Sequence, residues 1–238
     1  MHQEISAACR RADTLLWAAF MRSQQDDVSG SPTGKLVFPK YRDGSLRVSE
    51  QEARFAFVEA LCSGPLLYSV EAPTSKGYQF TGDSECSAQT DLAILDATMA
   101  HICNVEFKAK GVSSTAKEHS PISKDVQKLL REPLWGLWFH LLEGVDSSTI
   151  NKFLIVITKE IEHVRSKFAD IEAPGLTIHI CVLRHGFSVQ RDVVFAGGEM
   201  PDAEELRQML QLDVQVSRSE LLTERDLNGW DVQLRKPA

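Results

Sequence analysis

Several things are missing from this 238-residue chain, and each absence removes a class of function. No apolar run approaches the roughly eighteen residues that a membrane-crossing helix requires. The stretch Leu15-Leu16-Trp17-Ala18-Ala19-Phe20-Met21 is too short and reads as part of a helix. It follows Arg10-Arg11, but Asp13 and Thr14 interrupt it and no small-x-small site follows, so no export signal is expected. The five cysteines, Cys9, Cys62, Cys86, Cys103 and Cys181, are odd in number, scattered, and contain no Cys-x-x-Cys pair. That pattern supports neither a zinc site nor a disulfide framework, and reduced core thiols in a cytoplasmic protein are expected. The seven histidines include no His-Glu-x-x-His, and neither Gly-x-Ser-x-Gly nor a P-loop occurs, which leaves those enzyme classes unsupported.

Positive charge is also in deficit: 26 Lys and Arg stand against 33 Asp and Glu, a net charge of −7. A protein that coats nucleic acid through bulk electrostatics needs the opposite balance. The deficit is uneven along the chain. Between Glu106 and Arg131 the bases Lys108, Lys110, Lys117, Lys124, Lys128 and Arg131 outnumber the acids Glu106, Glu118 and Asp125. From Asp192 onward ten acids face five bases. One segment is therefore suited to phosphate inside an acidic whole.

Hydrophobic periodicity divides the chain into an N-terminal helix and linker (1–34), a core (35–185) and a C-terminal α/β extension packed on it (186–238). Ile5, Ala8, Ala12, Leu15, Ala19 and Phe20 mark the first helix. Ser49-Glu50-Gln51-Glu52 opens a second, with Ser49 as N-cap and Phe55, Val58, Leu61 and Cys62 as its stripe. Strands are expected at Leu66 to Glu71, Tyr78 to Phe80, Ser87 to Leu95 and His101 to Lys108, with turns at Ser75-Lys76-Gly77 and Asp96 to Ala100. After a polar loop from Lys110 to Pro121, the spacing from Val126 to Leu142 predicts a long helix that Pro133 kinks or divides. Phe153 to Ile157 reads as a covered strand, followed by a helix near Glu160 to Phe168 and a strand at Leu176 to Leu183. A strand at Asp192 to Phe195, a Gly197-Gly198 turn and a helix from Ala203 to Leu212 complete the expectation.

The chemistry concentrates in Val105-Glu106-Phe107-Lys108. A strand period of two sets Glu106 and Lys108 on one face and Val105 and Phe107 on the other. On the preceding strand Asp91 alternates against Leu92 and Ile94, so a hairpin brings it near Glu106. Converging carboxylates repel, and a hard divalent cation such as Mg²⁺ relieves that repulsion. Such an ion polarises a phosphate and acidifies water, while Lys108 positions or helps deprotonate the water and offsets phosphate charge.

Asp91, with Glu106-x-Lys108 fifteen positions later, resembles the signature of the PD-(D/E)XK nucleases, a resemblance that covers about half of the chain. It implies a restriction-endonuclease-like α/β core, αβββαβ, with a central mixed sheet flanked by helices, and catalysis with Mg²⁺ or Mn²⁺. The residue before the first acid, often proline in that family, is Thr90 here. Members add a glutamate from the preceding helix, and Glu52 matches by position, ahead of Glu50 and Glu59. Ser49-x-x-Glu52 is equally a capping box, and both roles stay open. Exonuclease-like members carry a glutamine in the helix after the lysine strand; Gln127 lies there, with Lys124, Lys128 and Arg131 on neighbouring faces to hold phosphates or simply to face solvent. Arg131 takes the place of the family's tyrosine. Glu71 reaches for the same pocket or stands as an edge carboxylate.

The resulting expectation is a Mg²⁺-dependent phosphodiesterase acting on DNA, in bacterial defence or DNA processing, with a protein partner or second copy completing the substrate channel. A catalytically silent scaffold and an RNA-directed nuclease are the alternatives.

Overall fold

Along the chain the elements run α1 (His2–Gln24), α2 (Glu50–Leu61), β1 (Leu67–Tyr78), β2 (Cys86–Leu95), β3 (His101–Ala109), α3 (Pro121–Arg131), β4 (Trp135–Leu142), α4 (Thr149–Lys167), β5 (Gly175–Val182), β6 (Phe187–Val194), α5 (Ala203–Leu210) and β7 (Asp231–Leu234). The computed structural model describes residues 2–24, 35–78, 86–109, 121–145, 149–195, 200–212 and 229–235. Within these, seven strands form one sheet in chain order, β1 to β7. The outer pairs are antiparallel, whereas β3, β4 and β5 run parallel. The α/β class and the mixed sheet flanked by helices are therefore as expected.

The β2–β3 hairpin follows from its turn chemistry. Asp96 Oδ1 accepts from the Thr98 and Ala100 amides at 2.8 and 3.0 Å, and Met99 takes a left-handed φ of 67°. An aspartate that binds its own backbone two residues on is a turn nucleus. The linker 25–34, the loop 110–120 and the Gly197-Gly198 turn lie outside the described residues.

Two apolar cores sandwich the sheet. On one face Ile5, Leu16, Phe20 and Phe57 of α1 and α2 pack against Val105, Phe107, Leu137 and Phe139. On the other, Val126, Leu154, Ile157 and Leu206 of α3, α4 and α5 cover Trp138, Ile178 and Ile180. A polar tie fixes α1 across the strands. Asp13 bonds His179 Nε2 at 2.9 Å and accepts from Ser188 Oγ at 2.6 Å, all three being buried.

Four expectations are corrected. The helix predicted to continue past Pro133 ends at Arg131, and Trp135–Leu142 is strand β4. Every residue of β4 is buried, since helices cover both faces, and a strand without alternation imitates the apolar density of a helix. Conversely, Phe153 to Ile157 is helix, not strand. The β-branched run belongs to α4, whose buried Ile150, Phe153, Leu154, Ile157, Ile161 and Val164 keep helical spacing while Ile155 is left exposed. The region from Leu66 to Tyr78 has no turn at residues 75–77; β1 runs unbroken to Tyr78 and pairs with β2 on both sides of a register shift between Pro73 and Gly77. On α2 the buried stripe is Ala53, Ala56, Phe57, Ala60 and Leu61, and Phe55 is 61% exposed. The order helix, strand, strand, strand, helix, strand survives these changes because a strand replaces the second half of the expected long helix.

Candidate functional site

Register brings the sequence-predicted carboxylates together. β2 and β3 pair Leu92 with Val105 and Ala93 with Asn104, and one further step sets Asp91 opposite Glu106. There the ladder opens, and Asp91 turns its Oδ2 to accept the Phe107 amide at 2.9 Å. Asp91, Glu106 and Lys108 thus share the sheet face that α3 covers.

The helices then close in from both sides. From α3, Asp125 Oδ2 lies 2.7 Å from Lys108 Nζ, and its Oδ1 lies 2.9 Å from Lys128 Nζ. Lys128 Nζ also lies 2.7 Å from Glu106 Oε1 and donates to the Gln89 carbonyl at 3.1 Å. From α2, Arg54 donates to Asp91 Oδ1 at 2.8 Å and approaches Glu71 at 3.8 Å, while Glu50 lies 3.6 Å from Lys108. Glu50 and Arg54 are four residues apart, one above the other on a single helix face. Glu71, opposite Asp91 on β1, has a left-handed φ of 52°. For a residue with a side chain this is an uncommon conformation that clusters at functional sites.

These contacts sort the other candidates. Glu52 sits about half a turn from Glu50, and its Oε2 accepts from the Ser49 amide at 2.8 Å and from the Ser49 hydroxyl. The capping box is therefore formed, and Glu50, which position alone ranks lower, is the α2 carboxylate that reaches Lys108. Arg131 is turned away from the site: its guanidinium bonds Asp170 at 2.9 to 3.2 Å and stacks over Phe168 and Tyr78. Gln127 is buried on α3, and its Oε1 has no hydrogen-bond partner among the described residues. Lys124 is half-buried on the same helix. Glu59 is exposed on α2. Arg54 and Asp125 are absent from the sequence-based set. The signal for Arg54 was its i,i+4 relation to Glu50, and for Asp125 its i,i+3 relation to Lys128.

Burial controls the electrostatics. Glu106 is 1% exposed. Loss of solvent pushes its carboxyl well above the ordinary range, Asp125 and Asp91 add to the rise, and Lys128 opposes it. Burial alone would depress Lys108, but the charge of Asp125 and its hydrogen bond, with Glu50 and Asp91 behind them, hold the ammonium above its usual value. Lys128 is raised in the same way, by Glu106 and Asp125 acting against burial. Both lysines are therefore cations at neutral pH. Lys108 so held is a donor and a counter-charge rather than a base.

The donor set suits a hard cation. Among the described residues no three His, Cys, Asp or Glu side chains gather as a closed metal cage requires. Mg²⁺ asks for less, one or two carboxylates with water and phosphate filling the remainder. Asp91 and Glu106 meet that demand with oxygen alone, and the raised carboxyl of Glu106 marks a place where added positive charge is favourable. Such an ion would take oxygens that Arg54 and Lys128 hold here.

No protein-family model, curated protein or solved structure matches the chain. No helix among the described residues is long and apolar enough to cross a membrane.

Proposed function

We propose that the chain is a divalent-metal-dependent nuclease with a restriction-endonuclease-like core of the PD-(D/E)XK type, acting on DNA. The observation that carries this reading is Asp91 of β2 on the Phe107 amide of β3, between Glu106 and Lys108 in the sequence of that strand. Mg²⁺ or Mn²⁺, held by Asp91 and Glu106, supplies polarisation of the phosphate and acidification of water. Lys108, fixed by Asp125 and Glu50, offsets negative charge on the phosphate and orients the attacking water by hydrogen bonding. Arg54 holds Asp91 Oδ1 in the metal-free protein and would yield that oxygen to the ion. Lys124 and Lys128 are the α3 cations nearest the role of holding phosphate oxygens, Lys128 only once it has left Glu106 and Asp125, whereas Arg131 is bonded to Asp170 away from the site. With a net charge of −7, tight binding of duplex calls for a partner protein or a second copy to complete the channel. The setting that suits this reading is the cytoplasm, in defence or DNA processing.

A second reading has its own support. Arg54 and Lys128 already neutralise both carboxylates, as in a nuclease fold retained as a catalytically silent scaffold. Cleavage assays with and without Mg²⁺ on single- and double-stranded DNA and on RNA separate the two. Metal-dependent DNA cleavage that falls about a hundredfold or more in Lys108→Ala is the expected result. Absence of metal-dependent cleavage of any substrate, with and without candidate partners, overturns the nuclease reading in favour of the scaffold. Cleavage of RNA alone moves the substrate class.

A further inference from the structure

The position of Lys128 raises a question that the nuclease reading leaves untouched. Its ammonium lies among oxygens alone: Glu106 Oε1 at 2.7 Å, Asp125 Oδ1 at 2.9 Å and the Gln89 carbonyl at 3.1 Å. The residue is 7% exposed, Glu106 is 1% exposed and Asp125 is 7% exposed, so little water reaches these charges. This is the coordination that a small cation seeks, filled by the protein's own side chain. Lys108, which shares Asp125, forms no ion pair with Glu106 among the described residues, so Lys128 is the lysine that stands on the buried carboxylate.

We propose that Lys128 is an exchangeable resident cation, whose ammonium holds the carboxylate of Glu106 in the metal-free protein and leaves it when a divalent ion binds. The inference rests on the metal site proposed above and adds its regulation. The physical basis is exclusion. Asp125 carries one ammonium on each oxygen, but a doubly charged ion at Glu106 Oε1 would meet the Lys128 ammonium on the same atom, where solvent screening is poor and repulsion strong, so the two compete for that oxygen. Lys128 is flexible enough to leave, with four carbons between its charge and the helix. Metal affinity is therefore reduced by the free energy needed to detach the ammonium from Glu106, Asp125 and Gln89. The Gln89 contact ties β2 to the same event, because the ammonium that leaves Glu106 also leaves that strand's carbonyl. The site thus has a built-in threshold: at low divalent concentration it is closed by its own cation.

The test needs no nucleic acid. Mn²⁺ binding is measured by electron paramagnetic resonance on the wild-type chain, Lys128→Gln and Lys128→Arg. Gln keeps a donor for Glu106 but no charge, whereas Arg keeps the charge. Lys128→Gln is expected to bind Mn²⁺ about tenfold or more tightly than wild type, and Lys128→Arg no more tightly. A second measurement uses the wild-type chain and covers a variant that fails to fold. Labelling of Lys128 by an amine-reactive ester, read by mass spectrometry, is expected to rise severalfold when Mg²⁺ is added, as the ammonium leaves its enclosed position. If wild type binds Mn²⁺, and either Lys128→Gln binds it no more tightly or the divalent ion leaves the labelling unchanged, the exchange is overturned while the metal site stands. If neither wild type nor Lys128→Gln binds Mn²⁺, the exchange and the metal site fall together.

Discussion

Two glutamates flank α3, one facing it from β3 and one just beyond its end, both almost wholly buried, and they are treated in opposite ways. Glu132, 2% exposed, accepts from the Ser75 amide and hydroxyl, the Lys76 amide and the Tyr78 hydroxyl, at 2.6 to 3.1 Å. Burial raises its carboxyl, but these hydrogen bonds outweigh burial and hold it below the ordinary value. Glu106, 1% exposed, has the single ammonium of Lys128, with two further carboxylates nearby, and its carboxyl is held well above the ordinary value. The first arrangement satisfies a charge permanently and anchors β1 to the end of α3. The second leaves a charge in want of a stronger partner. Burial of an acid alone thus says nothing about its role; the kind of donors around it does.

Substituting each glutamate by glutamine should expose that difference. Glu106→Gln is expected to lower metal-dependent cleavage on the order of a thousandfold, as loss of several kcal/mol of charge stabilisation in the transition state implies. The same change should alter unfolding stability by no more than about 1 kcal/mol, since Asp125 and the Gln89 carbonyl still hold the Lys128 ammonium and the amide removes an acid whose charged form burial disfavours. Glu132→Gln should do the reverse. Urea denaturation is expected to show a loss of about 2 kcal/mol, because charge-assisted hydrogen bonds to four donors are weakened or left unmade. Cleavage by the folded fraction should stay near wild type. Equal effects of the two changes on both measurements would break the distinction.

A smaller effect lies in the pH dependence of the metal-free protein. Glu132, with its lowered value, contributes stability that is present above the ordinary carboxylate range and disappears as pH falls through its folded value. Glu106, with its raised value, holds its proton in the folded state when the unfolded chain has released it. Its contribution therefore declines as pH climbs from the ordinary value through the raised one. Denaturation curves taken from below to above the ordinary carboxylate range should lose the decline below that range in Glu132→Gln and the decline above it in Glu106→Gln. A wild-type profile unchanged by either substitution would show that neither carboxyl is shifted.

The hairpin was legible because its information is local. Strict alternation in β2 and β3 and the Asp96 turn sufficed to place Asp91, Glu106 and Lys108 on one face. The second half of the sheet was not legible, since β4 is covered on both sides and carries no alternation, while the β-branched residues of α4 favour a strand until packing overrides them. The helical spacing of Ile150, Phe153, Leu154, Ile157 and Ile161 held the correction. At the site, Ser49-x-x-Glu52 resolves into a cap only when the carboxylate is seen on its amide. Arg54 and Asp125 read as solvated helix charges until the docking of α2 and α3 turns them onto Asp91 and the lysines.

The tie between α1 and the sheet has a consequence in time. Asp13 meets His179 and Ser188 across 166 and 175 residues, and the Trp17 indole donates to the Val182 carbonyl across 165. During synthesis at about 5–20 residues per second, α1 waits many seconds before β5 and β6 exist to receive it. Until then its apolar stripe, Ile5, Ala8, Ala12, Leu16 and Phe20, has only the part of its cover that α2, β3 and β4 supply, so an element made before the sheet is fixed in place only after most of it.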